Sequence, residues 1–128
     1  MGSFDISFSI LGEPASKANS RKAVVIRGRP AFIKSQKARD YVAMFDKQCP
    51  SLDELLTNDV LVEILIYYGS RRPDLDESLI LDCMQDRIYK NDRQVKQKFI
   101  YWGLDRGAPR TIIKVSSCDI YDIPAYII

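Results

Sequence analysis

Histidine is absent from this 128-residue chain, which removes the commonest general base and the commonest transition-metal ligand. Acid–base or metal chemistry must then fall to carboxylates, lysines and tyrosines, and oxygen donors of that kind favour magnesium, with manganese as the alternative. Cysteine is scarce: Cys49, Cys83 and Cys118 stand far apart with no CxxC spacing, so neither a disulfide framework nor a zinc site is indicated. Long apolar runs are missing as well. The longest, Ile64 to Tyr68, is far below a membrane span, and no charged start followed by an apolar stretch marks a signal peptide. A cytoplasmic protein with no membrane partner and no nucleotide cofactor is the expectation.

Charge of a single sign is also lacking. The 19 lysines and arginines against 17 aspartates and glutamates leave a formal net charge of +2, which names no partner. Placement says more. Basic residues gather at Lys17 to Arg29, Lys34 to Arg39, Arg71 to Arg72 and Arg87 to Lys98, whereas Asp53 to Asp59 and Asp119 to Asp122 are acidic, which permits a positive surface around a negative pocket. Apolar residues make up 46% of the chain, enough for the core of one domain. A chain this short buries less than about 70% of its extended surface, so a partner subunit would add stability.

Phe4, Ile6, Phe8 and Ile10 alternate with polar residues, which predicts a strand over 3–11. Gly12 to Ser20 breaks the period and reads as a basic loop; residues 23–27 and 30–33 around Gly28 suit a small hairpin. Ser35 can cap a helix from about Gln36 to Cys49, with Ala38, Tyr41, Val42 and Phe45 at helical spacing and Pro50 ending it. A short helical turn is expected at Leu52 to Leu56. The strongest strand signal, Asp59 to Tyr68, is apolar on both faces and so should be central. Asp76 can cap a helix of about Glu77 to Arg87, and two further strands are expected at 96–104 and 110–118. Trp102, Tyr101 and Phe99 read as core or dimer packing, and the apolar tail from Ile120 to Ile128 as a segment that packs on something. The sum is one α+β domain over 1–128, a mixed sheet covered by two helices.

Asp74 and Asp76 follow the strongest strand where a loop enters a helix, and Asp92 lies in the loop leaving that helix. If the chain returns beside itself the three converge. Carboxylates so grouped suit Mg²⁺, which takes one or two of them together with waters and a substrate phosphate, and without an ion they would raise one another's pKa. Alone, an Asp-x-Asp after Pro73 is more simply a turn and an N-cap. The flanks change that balance: Arg71-Arg72-Pro73-Asp74-Leu75-Asp76, one helix, then Tyr89-Lys90-Asn91-Asp92-Arg93-Gln94-Val95. This combination resembles the RusA family of Holliday-junction resolvases, common in phages. The opening strand and Gly12-Glu13-Pro14-Ala15-Ser16-Lys17 look like that family's start, so the likeness spans roughly residues 5 to 98.

The resemblance implies a homodimeric, Mg²⁺-dependent endodeoxyribonuclease that nicks four-way or otherwise branched DNA in recombination, repair or replication. Its metal-binding and catalytic residues would be Asp74, Asp76 and Asp92. Lys17, Arg21 and Lys22 on the basic loop and hairpin would reach DNA phosphates, and Arg71, Arg72 and Lys90 would grip the phosphate beside the carboxylates. Glu77 could be a fourth ligand, although the helix macrodipole favours an acidic first turn anyway. Asp82 reads as a solvated helix residue. Two departures stand out: Glu77 replaces the family's usual Asn, and Ile80 replaces its helix lysine. The second makes the alternative a branched-DNA-binding module that keeps the fold without cleaving.

Overall fold

The computed structural model describes residues 5–16, 19, 21–118 and 123–128. Period-two segments form the strands β1 (Asp5–Leu11), β2 (Arg21–Ile26), β3 (Arg29–Lys34), β4 (Val60–Tyr68), β5 (Val95–Leu104) and β6 (Arg110–Ser117). Two helices interrupt them, α1 (Gln36–Gln48) and α2 (Ser78–Met84), with a 3-10 turn at Asp92–Gln94. The main sheet has the order β1-β6-β4-β5; β5 runs parallel to β4, and the other pairs are antiparallel. The fold is therefore the α+β class expected, a mixed sheet with two helices. β2 and β3 pair only with each other, joined by a tight turn in which Arg27 and Gly28 both take positive φ, 52° and 77°.

β4 alternates strictly. Val60, Val62, Ile64, Ile66 and Tyr68 are buried toward the helices, while Leu61, Glu63, Leu65 and Tyr67 are half-buried on the other face. Ser35 caps α1 as expected, its Oγ accepting from the Ala38 N–H at 3.2 Å, and the helix buries Ala38, Tyr41 and Phe45. Phe8 meets Phe45 edge to face at 6.4 Å, fixing α1 over β1.

Four expectations need correction. Leu52 to Leu56 forms no helical turn: the Leu52 and Leu56 N–H groups donate to the Arg87 and Ile88 carbonyls, pairing this segment with the chain after α2. The second helix stops at Met84, short of Arg87, because Ile88 and Tyr89 are drawn to complete burial; Asp86 at φ 65° makes the reversal, and the Tyr89 hydroxyl donates to the Leu81 carbonyl at 2.7 Å. Phe99 and Tyr101 are about half exposed, so they are not core of this chain. In the tail, 119–122 fall outside the described residues, and Ile123, Tyr126, Ile127 and Ile128 are exposed, so the packing expected of this segment is not seen within the chain.

Candidate active site

Tyr68 ends β4 with its ring buried and its hydroxyl reaching the next loop. That hydroxyl donates to the Asp74 carbonyl at 3.0 Å and accepts from the Asp76 N–H at 3.2 Å, so the strand end pins the Asp-x-Asp segment. Burial pushes the Tyr68 phenol above its ordinary value. The negative charges of Asp76, Glu13 and Glu77 add to that rise, and the Asp76 N–H opposes it. Glu13 belongs to the loop after β1 and comes here because its Oε2 accepts from the Gly69 N–H at 3.0 Å. The two family-like segments thus meet at the end of β4. Gly12 is required for this: it sits at φ 105°, and a Cβ there would lie 2.0 Å from the Met44 methyl.

Beside this pair, Trp102 stacks on Tyr68 with centroids 6.3 Å apart, and the Arg71 guanidinium lies 5.8 Å from the indole centroid. Trp102 is therefore packed on one face and partly exposed, not core. Arg71, Arg72 and Lys90 are all exposed cations, as are Arg21 and Lys22 on β2. Lys17 lies outside the described residues.

The Asp76 carboxylate also has a structural duty. Its Oδ1 accepts from the Ser78 N–H at 3.0 Å and the Ser78 hydroxyl at 2.7 Å, closing the start of α2 as a capping Asp76 was expected to, from one position before the cap residue Glu77. Glu77 occupies the cap position with its carbonyl accepting from the Leu81 N–H at 3.0 Å but with no side-chain bond to the helix. It pairs instead with the Lys98 ammonium of β5 at 2.5 Å.

Asp92 lies at the entry to β5. Because β4 and β5 are parallel, the crossover through α2 leaves the end of β4 and enters β5 at Val95, which pairs with Val60 at the start of β4. Asp74 and Asp76 therefore follow one end of the strand pair and Asp92 precedes the other. The Asp92 N–H donates to the Gln85 side chain at the C-terminal end of α2. Its neighbouring charge is Asp82, whose carboxyl is raised first by desolvation and then by Asp92, against the pull of Lys34 and Arg21 from the hairpin.

The rest of the second motif is structural. Gln94 accepts from the Lys90 and Asn91 N–H groups and donates to the Leu56 and Asn58 carbonyls, binding the loop to the entry of β4. The Asn91 side chain accepts from the Arg93 N–H at 2.9 Å, so its oxygen serves a cap.

Among the described residues no three acidic or cysteine side chains stand close enough to hold one ion. The donor chemistry suits a hard divalent cation, and two carboxylates on one loop are what Mg²⁺ commonly takes from a protein. Asp74 and Asp76 lie on one such loop. Asp92 does not join them in this arrangement. Beside Asp92 lies an open cleft of about 390 Å³ along the α2–β5 flank, lined by Leu81, Asp92, Arg93, Lys96, Gln97 and Lys98 among others. Lys98 and Glu13 are the residues sequence reasoning missed; alternation along β5 could have found the first, since it sets a lysine on the helix-facing side opposite Val62.

A family model described as Endodeoxyribonuclease RusA matches residues 12–116, starting after β1 and running through β6 to Ser116, further than the residue-98 limit read from the motifs. No curated protein matches the chain.

Proposed function

Because this chain belongs to the RusA endodeoxyribonuclease family, we propose that it is a Mg²⁺-dependent, structure-selective endonuclease that nicks Holliday junctions or similar branched DNA as a homodimer. The observation that carries the reading is the Asp74–Asp76 segment held at the end of a central strand, with Arg71, Trp102 and the cleft toward Asp92 alongside. Bound there, the cation would polarise the scissile phosphate and acidify a water. Asp74 and Asp76 would be its primary ligands. Asp92 would complete the set only by a movement of the loop before β5 toward the start of α2.

The chain's own cations would do the remaining work. Arg71 and Arg72 directly precede the carboxylates and would grip the phosphate, with Lys90 near Asp92 and Lys17, Arg21 and Lys22 following the DNA backbone. Selectivity would come from the shape of a basic dimer surface more than from base contacts. Support for a dimer comes from the sheet face without helices, where Leu65 lies in register with Ile112 and Tyr101, and Ile112, Phe99 and Tyr101 are exposed. Phage-type recombination, repair or replication in a bacterial cytoplasm is the setting that fits; among the described residues no helix is long and apolar enough to cross a membrane.

One observation favours the second reading, a branched-DNA-binding module without cleavage. The place of the family's helix lysine holds Ile80, fully buried. A nicking assay separates the two: purified protein with Mg²⁺ should cut a four-way junction, and Asp74→Asn should lose cutting by 100-fold or more, on the order of a removed transition-state contact, while still binding. Tight binding with no cutting by the unaltered protein would establish the second reading in place of the first.

A further inference from the structure

We infer that Lys98 is the phosphate-binding cation of the cleft, kept in place by Glu77 until DNA takes over as its counter-charge. The inference rests on the branched-DNA reading above and adds a residue that the sequence motifs do not include.

Lys98 lies on the helix-facing side of β5, in register with the fully buried Val62, and Ile100 and Trp102 continue that side toward Arg71. A lysine on the inner face of a sheet needs a reason. α2 is short and covers only part of β5, so the ammonium emerges over the flank with its side chain about half exposed, while its partner Glu77 is only 18% exposed. The carboxylate is thus the fixed member of the pair and the ammonium the accessible one. Lys98 lines the cleft together with Asp92, Lys96 and Arg93, and Glu77 directly follows Asp76. Of the cations lining that cleft, Lys98 is the one paired with the residue next to Asp76.

An exposed ion pair of this kind is weak and exchangeable, because solvent screens it. A phosphodiester group entering the cleft offers Lys98 a second anion without moving the backbone.

The test is equilibrium binding of a labelled four-way junction in EDTA over a range of salt concentrations, with unaltered protein, Lys98→Gln, Lys98→Arg, Glu77→Gln and the double variant Glu77→Gln/Lys98→Gln. Lys98→Gln should weaken binding and reduce the slope of log affinity against log salt by about one. Lys98→Arg should keep both. Glu77→Gln should tighten binding by releasing the ammonium, and that gain should vanish in the double variant. If the unaltered protein binds and Lys98→Gln matches it in affinity and slope, Lys98 is only a structural partner of Glu77 and the inference is overturned. Should Lys98→Gln fail to fold, Glu77→Gln still decides, since no tightening overturns the inference. If the unaltered protein binds no junction, the branched-DNA reading fails and Lys98's role with it.

Discussion

The two helices cover the sheet in different ways. α1 is 13 residues long, opens on a bonded Ser35 cap, closes at Pro50 and drives Tyr41 and Phe45 into the core against β1. α2 is 7 residues long, has no side-chain bond from its cap residue, and is followed by a left-handed Asp86. Its flank leaves Lys98 and Trp102 reachable from solvent. The first half spends its residues on packing, and the second gives up helix length for a charged cleft. Local order and chemistry are thus divided between two neighbouring elements of one sheet.

The sharpest way to break this comparison is to exchange the demands on the two helices. Phe45→Ala should cost about 3–5 kcal/mol by leaving a cavity under α1. Ile80→Lys, which puts a charge on the packed face of α2, should cost a similar ~3–5 kcal/mol because position 80 is fully buried. Urea denaturation of both variants measures it. A well-tolerated lysine at position 80 would mean that α2 can rotate outward, and that the division between a packed and an open half is not built into the fold.

A smaller effect separates the two aspartates of the Asp-x-Asp segment. Asp76→Ala removes the acceptor for the Ser78 N–H and hydroxyl at the start of α2, and should cost about 1 kcal/mol, the usual value of a lost cap. Asp74→Ala leaves the Tyr68–Asp74 bond intact, because that bond uses the backbone carbonyl, and should stay within about 0.5 kcal/mol of the unaltered protein. Thermal melts of the two variants distinguish them. Equal losses would show that the Asp74 side chain carries structural weight too.

Legibility followed the same division. Strands β1 and β4, helix α1 with its Ser35 cap, and the hairpin around Gly28 were readable because each is decided by local pattern: period two, period 3.6, or a glycine that accepts positive φ, although Arg27, read as strand, shares the turn. The end of α2 was not, because the pull on Ile88 and Tyr89 comes from the core and not from their neighbours in sequence. The Asp74 and Asp76 segment was correctly placed at a strand-to-helix loop. That Asp92 enters β5 beside the start of β4 was hidden because it depends on the direction of β5, and periodicity along a strand is the same for parallel and antiparallel pairing. The Glu77–Lys98 pair was hidden for the same reason.

The smallest effects are titrations at the two flanks, and they carry opposite signs. Asp105 lies in the β5–β6 connection, where its Oδ2 takes a 2.7 Å bond from Arg110 and its Oδ1 accepts from the Gly107 and Ala108 N–H groups; Arg110 first, then those amides, hold its carboxyl below the ordinary 3.8. Its stabilising contribution is complete above pH 3.8 and is lost as pH falls through the lowered folded value. Asp105→Asn should therefore destabilise at neutral pH, and the difference should fade on acidification. Asp82 is the reverse case: desolvation, then Asp92, raises its carboxyl, so the folded state is penalised above the raised value and unpenalised below 3.8. Asp82→Asn should stabilise at neutral pH, with that gain also fading in acid. Both shifts will be small because these groups face solvent. Urea midpoints measured from neutral pH into the acid range check the pair, and a loss of stability in Asp82→Asn at neutral pH would mean that Lys34 and Arg21 hold its charge more firmly than Asp92 opposes it.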